Sequence, residues 1–335
     1  MRSLGGSDLA VAAVDAWLAS ERRSSSATRD GYIKDASWWL LWLAMRGVDP
    51  ADPAPMEADK YVEAMGAAGL EPATRARRVS SAASLYQYLV RAGAAARDPF
   101  AGMDRPRVSQ ESKTRGLSKK QLDEMLAWAK KDAAARAAAY EEGRGARSWA
   151  VSAARTYAMM CLLVVTAARV GGVIAVELAA LGFDEGHRVI DLPVKGPAGK
   201  TLRFPVPPYA WAAINSYLDY RGYEPCPLFQ TESGRPVAQQ ALFGTVRRIA
   251  KLAGVPHWNA ISIHSIRHAI ATHALRSGRP LHKVQELLGH ADPRTTIRYL
   301  RKIGVLDESL AYELAKDFAV GEAEALAVDE DEDDV

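Results

Sequence analysis

The chain has 335 residues, 48% of them hydrophobic and 25% charged, with 25 Gly, 17 Pro and only two Cys. This composition excludes intrinsic disorder over most of the length and suggests two domains of common size. Cys161 and Cys226 are too few for a disulfide framework, and no C-x-x-C pair offers zinc ligands. The opening MRSLGGSDLA lacks the apolar core of a signal peptide, and the apolar stretch Ala158 to Ala168 is too short to span a membrane. A soluble, intracellular protein of a reducing compartment is expected. The net charge of +3 hides an asymmetry, because twelve acidic residues and one lysine, Lys316, lie from Asp307 onward. The remainder holds 42 Lys and Arg against 28 Asp and Glu, a net of +14. A body so basic and so rich in arginine suits a polyanion, nucleic acid first, although an arginine-rich proteome gives the same balance.

Residues 8–107 read as helices. Val11, Val14 and Leu18 fall at helical spacing, as do Tyr32, Trp39 and Leu43 along a second segment. A third helix lies near Met56–Met65, before Gly66 and Gly69. The fourth starts near Pro72, is expected to bury Val79, Ala83, Tyr86 and Leu89, and has Gly93 as its stop. Arg75, Arg77 and Arg78 mark its other face, either a solvated surface or one that contacts phosphates. The stretch from Asp98 to Gly116 has a linker composition. The domain limits are set at 1–107, a linker 108–116, and a second domain 117–320. A capping box at Ser118-x-x-Gln121 opens that second domain. Helices are expected at 118–140 and 147–168, then a β-hairpin from Val189–Val194 and Thr201–Val206. Helical patterns follow at 208–220, 237–253, 264–277, 281–288 and 306–318, and the acidic tail 321–335 is expected to be disordered. The fold class is mainly α with a small antiparallel β-sheet.

Two chemical motifs fail on inspection. Gly199-Lys200-Thr201 resembles the end of a phosphate-binding loop, but the first glycine of that loop would fall on Val194. His264 and His268 have the spacing of two metal ligands, yet no Glu follows His264 and Arg267 would repel a cation, so no metal is expected. What remains is an anion-binding set. His264 and Arg267 stand one helical turn apart, joining a proton-exchanging imidazole to planar bidentate donors. Downstream, Gly289 is expected to end a helix and present His290, and Tyr299 follows nine residues later. Each of these has a bland reading, His290 as a cap and Tyr299 as core packing.

The run HSIRH followed by LLGHADPRTTIRY resembles the C-terminal signature of the tyrosine recombinases, or phage integrases. That pattern is H-x-L-R-H, then L-G-H, then a Tyr nine residues after the last His; Ile266 replaces the usual Leu. Thr166-Ala167-Ala168-Arg169-Val170 resembles the family's T-G-x-R-I segment, and Lys195 matches its hairpin lysine; taken singly, Arg169 also reads as a buried ion-pair arginine and Lys195 as a turn lysine. The N-terminal part is similar to the helical core-binding domain, around Ala73-Thr74 and Leu85 to Leu89. The family usually carries an acid three positions after the first Arg, where this chain has Gly172. That departure implies reduced pre-organisation of the site, compensation by Glu177 from the same segment, or partial degeneration.

The resemblance implies a helical N-terminal core-DNA-binding domain and a mixed α/β catalytic domain on double-stranded DNA. It implies attack by Tyr299 on a phosphodiester, giving a 3′-phosphotyrosyl enzyme and a free 5′-hydroxyl. Arg169, Arg267 and His290 would hold the phosphate, His264 would accept the tyrosyl proton, and Lys195 would protonate the leaving oxygen. No cofactor, ATP or membrane is implied. The partners implied are attachment or core sites, a homotetramer on synapsed DNA, and an accessory DNA-bending or directionality protein. The location implied is the nucleoid in the cytoplasm. With no arm-site domain before residue 8, a simple recombinase that integrates or excises a phage or mobile element is expected. The alternatives are a chromosome or plasmid dimer resolvase, a catalytically weak DNA-binding relative, and a nicking-closing topoisomerase. The apolar positions Leu306, Leu310, Leu314 and Phe318 suit either docking in a groove of a neighbour or packing on their own domain.

Overall fold

The computed structural model describes residues 8–20, 23, 25–108, 116–194, 200–289 and 296. It divides into two compact units, Met1–Gln110 and Glu111–Val335. The first contains four helices: α1 (Asp8–Ala19), α2 (Ser26–Met45), α3 (Pro55–Ala67) and α4 (Pro72–Arg91). Local chemistry sets their ends. Ser25 caps α2 by accepting from the Thr28 N–H, Pro55 and Pro72 open α3 and α4 where no helical N–H is needed, and Gly93 takes φ 70 just past α4. The core centres on Trp39, fully buried, with the rings of Tyr61, Tyr86 and Phe100 edge-on at 5.2, 6.2 and 4.8 Å. Each such pair adds about 0.5–1.5 kcal/mol beyond the area it buries. In α1 the buried face is Ala10, Ala13 and Trp17, while Val11, Val14 and Leu18 are only half-buried. The apolar stripe predicted there is displaced by one position, because the large indole of Trp17 takes the centre of the contact.

The second unit contains α5 (Lys119–Glu141), α6 (Arg147–Thr166), α7 (Val170–Ala175), strands β1 (Leu181–Asp184), β2 (His187–Pro193) and β3 (Thr201–Pro205), then α8 (Pro208–Arg221), α9 (Gln239–Leu252), α10 (Ile263–Arg276) and α11 (Leu281–Leu288). Ser118 and Gln121 form the expected capping box on α5. The helix α6 passes through the core, with Ala158, Met160, Cys161, Leu162 and Leu163 buried. By length and composition it could cross a membrane, and the 158–168 stretch understated it. Its burial inside the domain accounts for that apolarity.

The sheet has three strands in the order β1-β2-β3, all antiparallel, where the sequence suggested a two-stranded hairpin. The missed strand is short and joins β2 through Glu185 at φ 44 and Gly186 at φ 82, the left-handed pair of a tight hairpin turn. Phe183 pairs with Arg188 and is exposed, so β1 lacks the apolar alternation that would have marked it.

Candidate active site

The helix α6 ends at Thr166, whose hydroxyl donates to the Leu162 carbonyl at 2.7 Å and accepts from the Ala168 N–H at 3.2 Å. Between them Ala167 takes the left-handed conformation, φ 48, at a cost of about 1–2 kcal/mol for a residue with a Cβ. The related family motif has glycine here. The turn delivers Arg169 to the N-terminal end of α7, exposed, with no hydrogen bond or ion pair from its guanidinium among the described residues.

A second capping box, Ser262 with Ser265, starts α10. Arg267 on this helix is 3% exposed. Its Nη1 donates to the Ala167 carbonyl at 2.6 Å, and its Nη2 donates to the Leu288 carbonyl. One turn earlier His264 is exposed on the helix surface. Partial desolvation where the ring rests on the protein pushes its pKa below the usual 6.5, and the charges of Arg267 and then Arg169 push it the same way. At neutral pH the ring is a neutral imidazole able to accept a proton.

Arg169, Arg267, Gly172, Pro193, Gln239 and Leu288 line one cavity of about 410 Å³. Two chain segments enter it from elsewhere in the fold. The stem of the β2–β3 hairpin closes with the Val194 N–H donating to the Lys200 carbonyl at 3.0 Å. The helix α11 stops at Gly289, φ 58, where a Cβ would come within 2.5 Å of Leu202. Glycine suits the left-handed backbone there, and any Cβ would also have to turn the Leu202 methyl aside. Lys195, His290 and Tyr299 lie outside the described residues, as do the 306–318 segment and the acidic tail. The flanking residues Val194 and Leu288 both line the cavity.

Gly172 is buried against β2, and a Cβ there would sit 2.8 Å from the Pro193 carbonyl oxygen. At this position the backbone of α7 packs directly against the strand. Glu177 is exposed, its backbone bridges Pro227, and no ion pair joins it to Arg169 among the described residues. Among the described residues, no group of three or more His, Cys, Asp and Glu could hold a metal ion. His268 is buried, with Nδ1 3.2 Å from the Thr272 hydroxyl.

The arginines of α4 are engaged within the first unit. Arg77 pairs with buried Asp35, which also accepts from Ser81 at 3.0 Å. Arg78 lies over the Trp38 ring at 5.0 Å, and the Arg75 guanidinium packs beside Gly66. Sequence reasoning missed Thr166 and Gln239. The first lay inside the motif already quoted, and the second carries no local signal.

The phage integrase family matches residues 115–303, more than half of the chain. This chain belongs to the phage integrase family. The family's N-terminal SAM-like domain matches residues 14–93. Membership places it among the tyrosine recombinases, enzymes of site-specific DNA cleavage and rejoining. It is 27% identical over 308 residues to tyrosine recombinase XerD of Chlorobaculum tepidum, covering 90% of this chain and 93% of the relative. It is 28% identical over 299 residues to tyrosine recombinase XerC of Xanthomonas campestris, covering 88% and 85%. The fold is similar to the XerH site-specific recombinase bound to its palindromic difH substrate, with TM-score 0.63, 18% identity and coverage of 86% and 79%. It is also similar to the Tn1549 transposon integrase in complex with transposon right end DNA, with TM-score 0.63, 14% identity and coverage of 92% and 98%.

Proposed function

We propose that this protein cleaves and rejoins double-stranded DNA at paired core sites, with Tyr299 as the nucleophile. The observation that carries the reading is the single cavity where Arg169 and Arg267 meet the chain segments that lead to Lys195 and His290. A phosphodiester under attack gathers charge on its non-bridging oxygens, and Arg169, Arg267 and His290 supply donors for them. Tyrosine titrates near 10, so its proton must be taken, and His264, held neutral, takes it. The 5′-oxygen departs with a proton from Lys195. The phosphotyrosyl ester conserves the energy of the broken bond, so rejoining to the same or another 5′-hydroxyl needs neither ATP nor a metal.

The relatives named XerC and XerD favour resolution of chromosome or plasmid dimers, and we place that role ahead of the integration or excision of a mobile element. Strand exchange between two sites calls for a homotetramer on synapsed DNA, with an accessory DNA-bending or directionality protein setting the outcome. The work is done in the cytoplasm, on the nucleoid. The basic body, with Arg75, Arg77 and Arg78 as candidate contacts in the N-terminal domain, serves the DNA backbone.

A nicked suicide duplex carrying the candidate site tests the reaction. The expected result is a covalent adduct that resists denaturation, maps to Tyr299 by mass spectrometry, and forms in the presence of chelator. A site that is bound but never captured would overturn the reading in favour of a DNA-binding relative without cleavage.

A further inference from the structure

Arg267 and Arg169 line the same cavity but stand in different surroundings. Arg267 is buried, and its two Nη atoms donate to carbonyls 100 and 21 residues away in sequence, those of Ala167 and Leu288. Ala167 is the left-handed residue two positions before Arg169, and Leu288 is the last residue of α11, two positions before His290. Both are places where a helix has just ended and its final carbonyls have lost their intrahelical partners. A guanidinium can satisfy two divergent acceptors at once because its donors spread in a rigid plane; an ammonium on a flexible stem cannot hold both in fixed geometry. Arg169, by contrast, is exposed, with its guanidinium unengaged among the described residues.

We infer that the two arginines divide the labour: Arg169 serves the phosphate alone, whereas Arg267 is also a positioning residue. Arg267 ties the turn that presents Arg169 to the helix end that precedes His290 in the chain. One buried side chain thereby sets the separation of two catalytic segments, and its charge also helps hold His264 neutral. This inference rests on the recombinase reading given above, and two readouts separate their failures.

The first readout needs no DNA. In amide hydrogen exchange of the full chain, Arg267→Lys is expected to lose protection at residues 166–169 and at 286–289 together, with Arg169→Lys leaving both unchanged. Unchanged exchange at either segment in Arg267→Lys would overturn the inference. So would collapse of the whole fold, because Arg267 would then be a general core residue. The second readout is cleavage of a duplex whose scissile phosphate is replaced by an uncharged methylphosphonate. With no anion to neutralise, Arg169→Ala is expected to recover at least about tenfold of its lost rate, of the hundredfold or more that one such donor supplies. Arg267→Ala is expected to recover little, because its defect is geometric. Equal recovery in both variants would overturn the division of labour. If wild type cleaves neither substrate, the recombinase reading fails while the exchange result still stands.

Discussion

The arginines of α4 and those of the cavity illustrate two fates of the same side chain. In the first unit, Arg77 meets the buried carboxylate of Asp35, and Arg78 covers an indole. In the second unit, Arg267 donates to two backbone carbonyls, and the guanidinium of Arg169 makes no hydrogen bond among the described residues. A carboxylate neutralises a guanidinium and takes its best donors; a carbonyl takes a donor and leaves the charge. The exposed guanidinium of Arg169 therefore keeps its charge for an anion, whereas that of Arg77 on α4 is balanced by Asp35 and has only its exposed donors left for phosphate. Clustered arginines in a sequence do not reveal which fate each one meets.

Tyr299→Phe is expected to abolish covalent capture while leaving DNA affinity within about twofold; loss of binding as well would place Tyr299 in the fold and not in the chemistry. Arg169→Ala is expected to slow single-turnover cleavage by about 10²–10³, the usual cost of one preorganised donor. A drop under tenfold would mean that the exposed guanidinium is not aimed at the phosphate. Restoring the family's acid, Gly172→Glu, is expected to harm and not help. Its Cβ must displace the Pro193 backbone, at about 1–3 kcal/mol of overpacking, read as a lower Tm with slower cleavage.

Smaller effects follow from charge. Because His264 titrates below its usual 6.5, the acid limb of the cleavage rate is expected below that pH, and Arg169→Gln should move it upward. The linkage has a fixed sign: the folded state binds fewer protons at this ring, so its contribution to stability is present above 6.5 and is lost as pH falls toward the depressed value. An acid limb at or above 6.5 would remove His264 as the base. Arg77→Ala leaves Asp35 buried with Ser81 alone and is expected to cost about 1–3 kcal/mol of stability, measured by denaturant melting. If DNA affinity falls more than stability does, α4 presents Arg77 to phosphate after all.

Much of this was legible in local chemistry. The capping box at Ser118, the stop at Gly93 and the left-handed Gly289 after Leu288 each depend on residues within one turn of one another. So does the H-x-x-R pair on α10. Strand β1 was not legible because its exposed Phe183 broke the alternation, and the α1 stripe shifted because burial follows the largest side chain.

The sequence alone determined the order of the longer helices and the main hairpin, the ends at Ser118, Gly93 and Gly289, and the succession of chemistry-bearing residues along the chain. These follow from periodicity and spacing, which are properties of neighbours. Only the tertiary structure decided that Asp35 claims Arg77 across 42 residues, that Pro193 fills the space of an acid at Gly172, and that Arg267 reaches Ala167 and Leu288. Which acceptor a buried donor finds depends on what folding brings beside it, and no local pattern encodes that encounter.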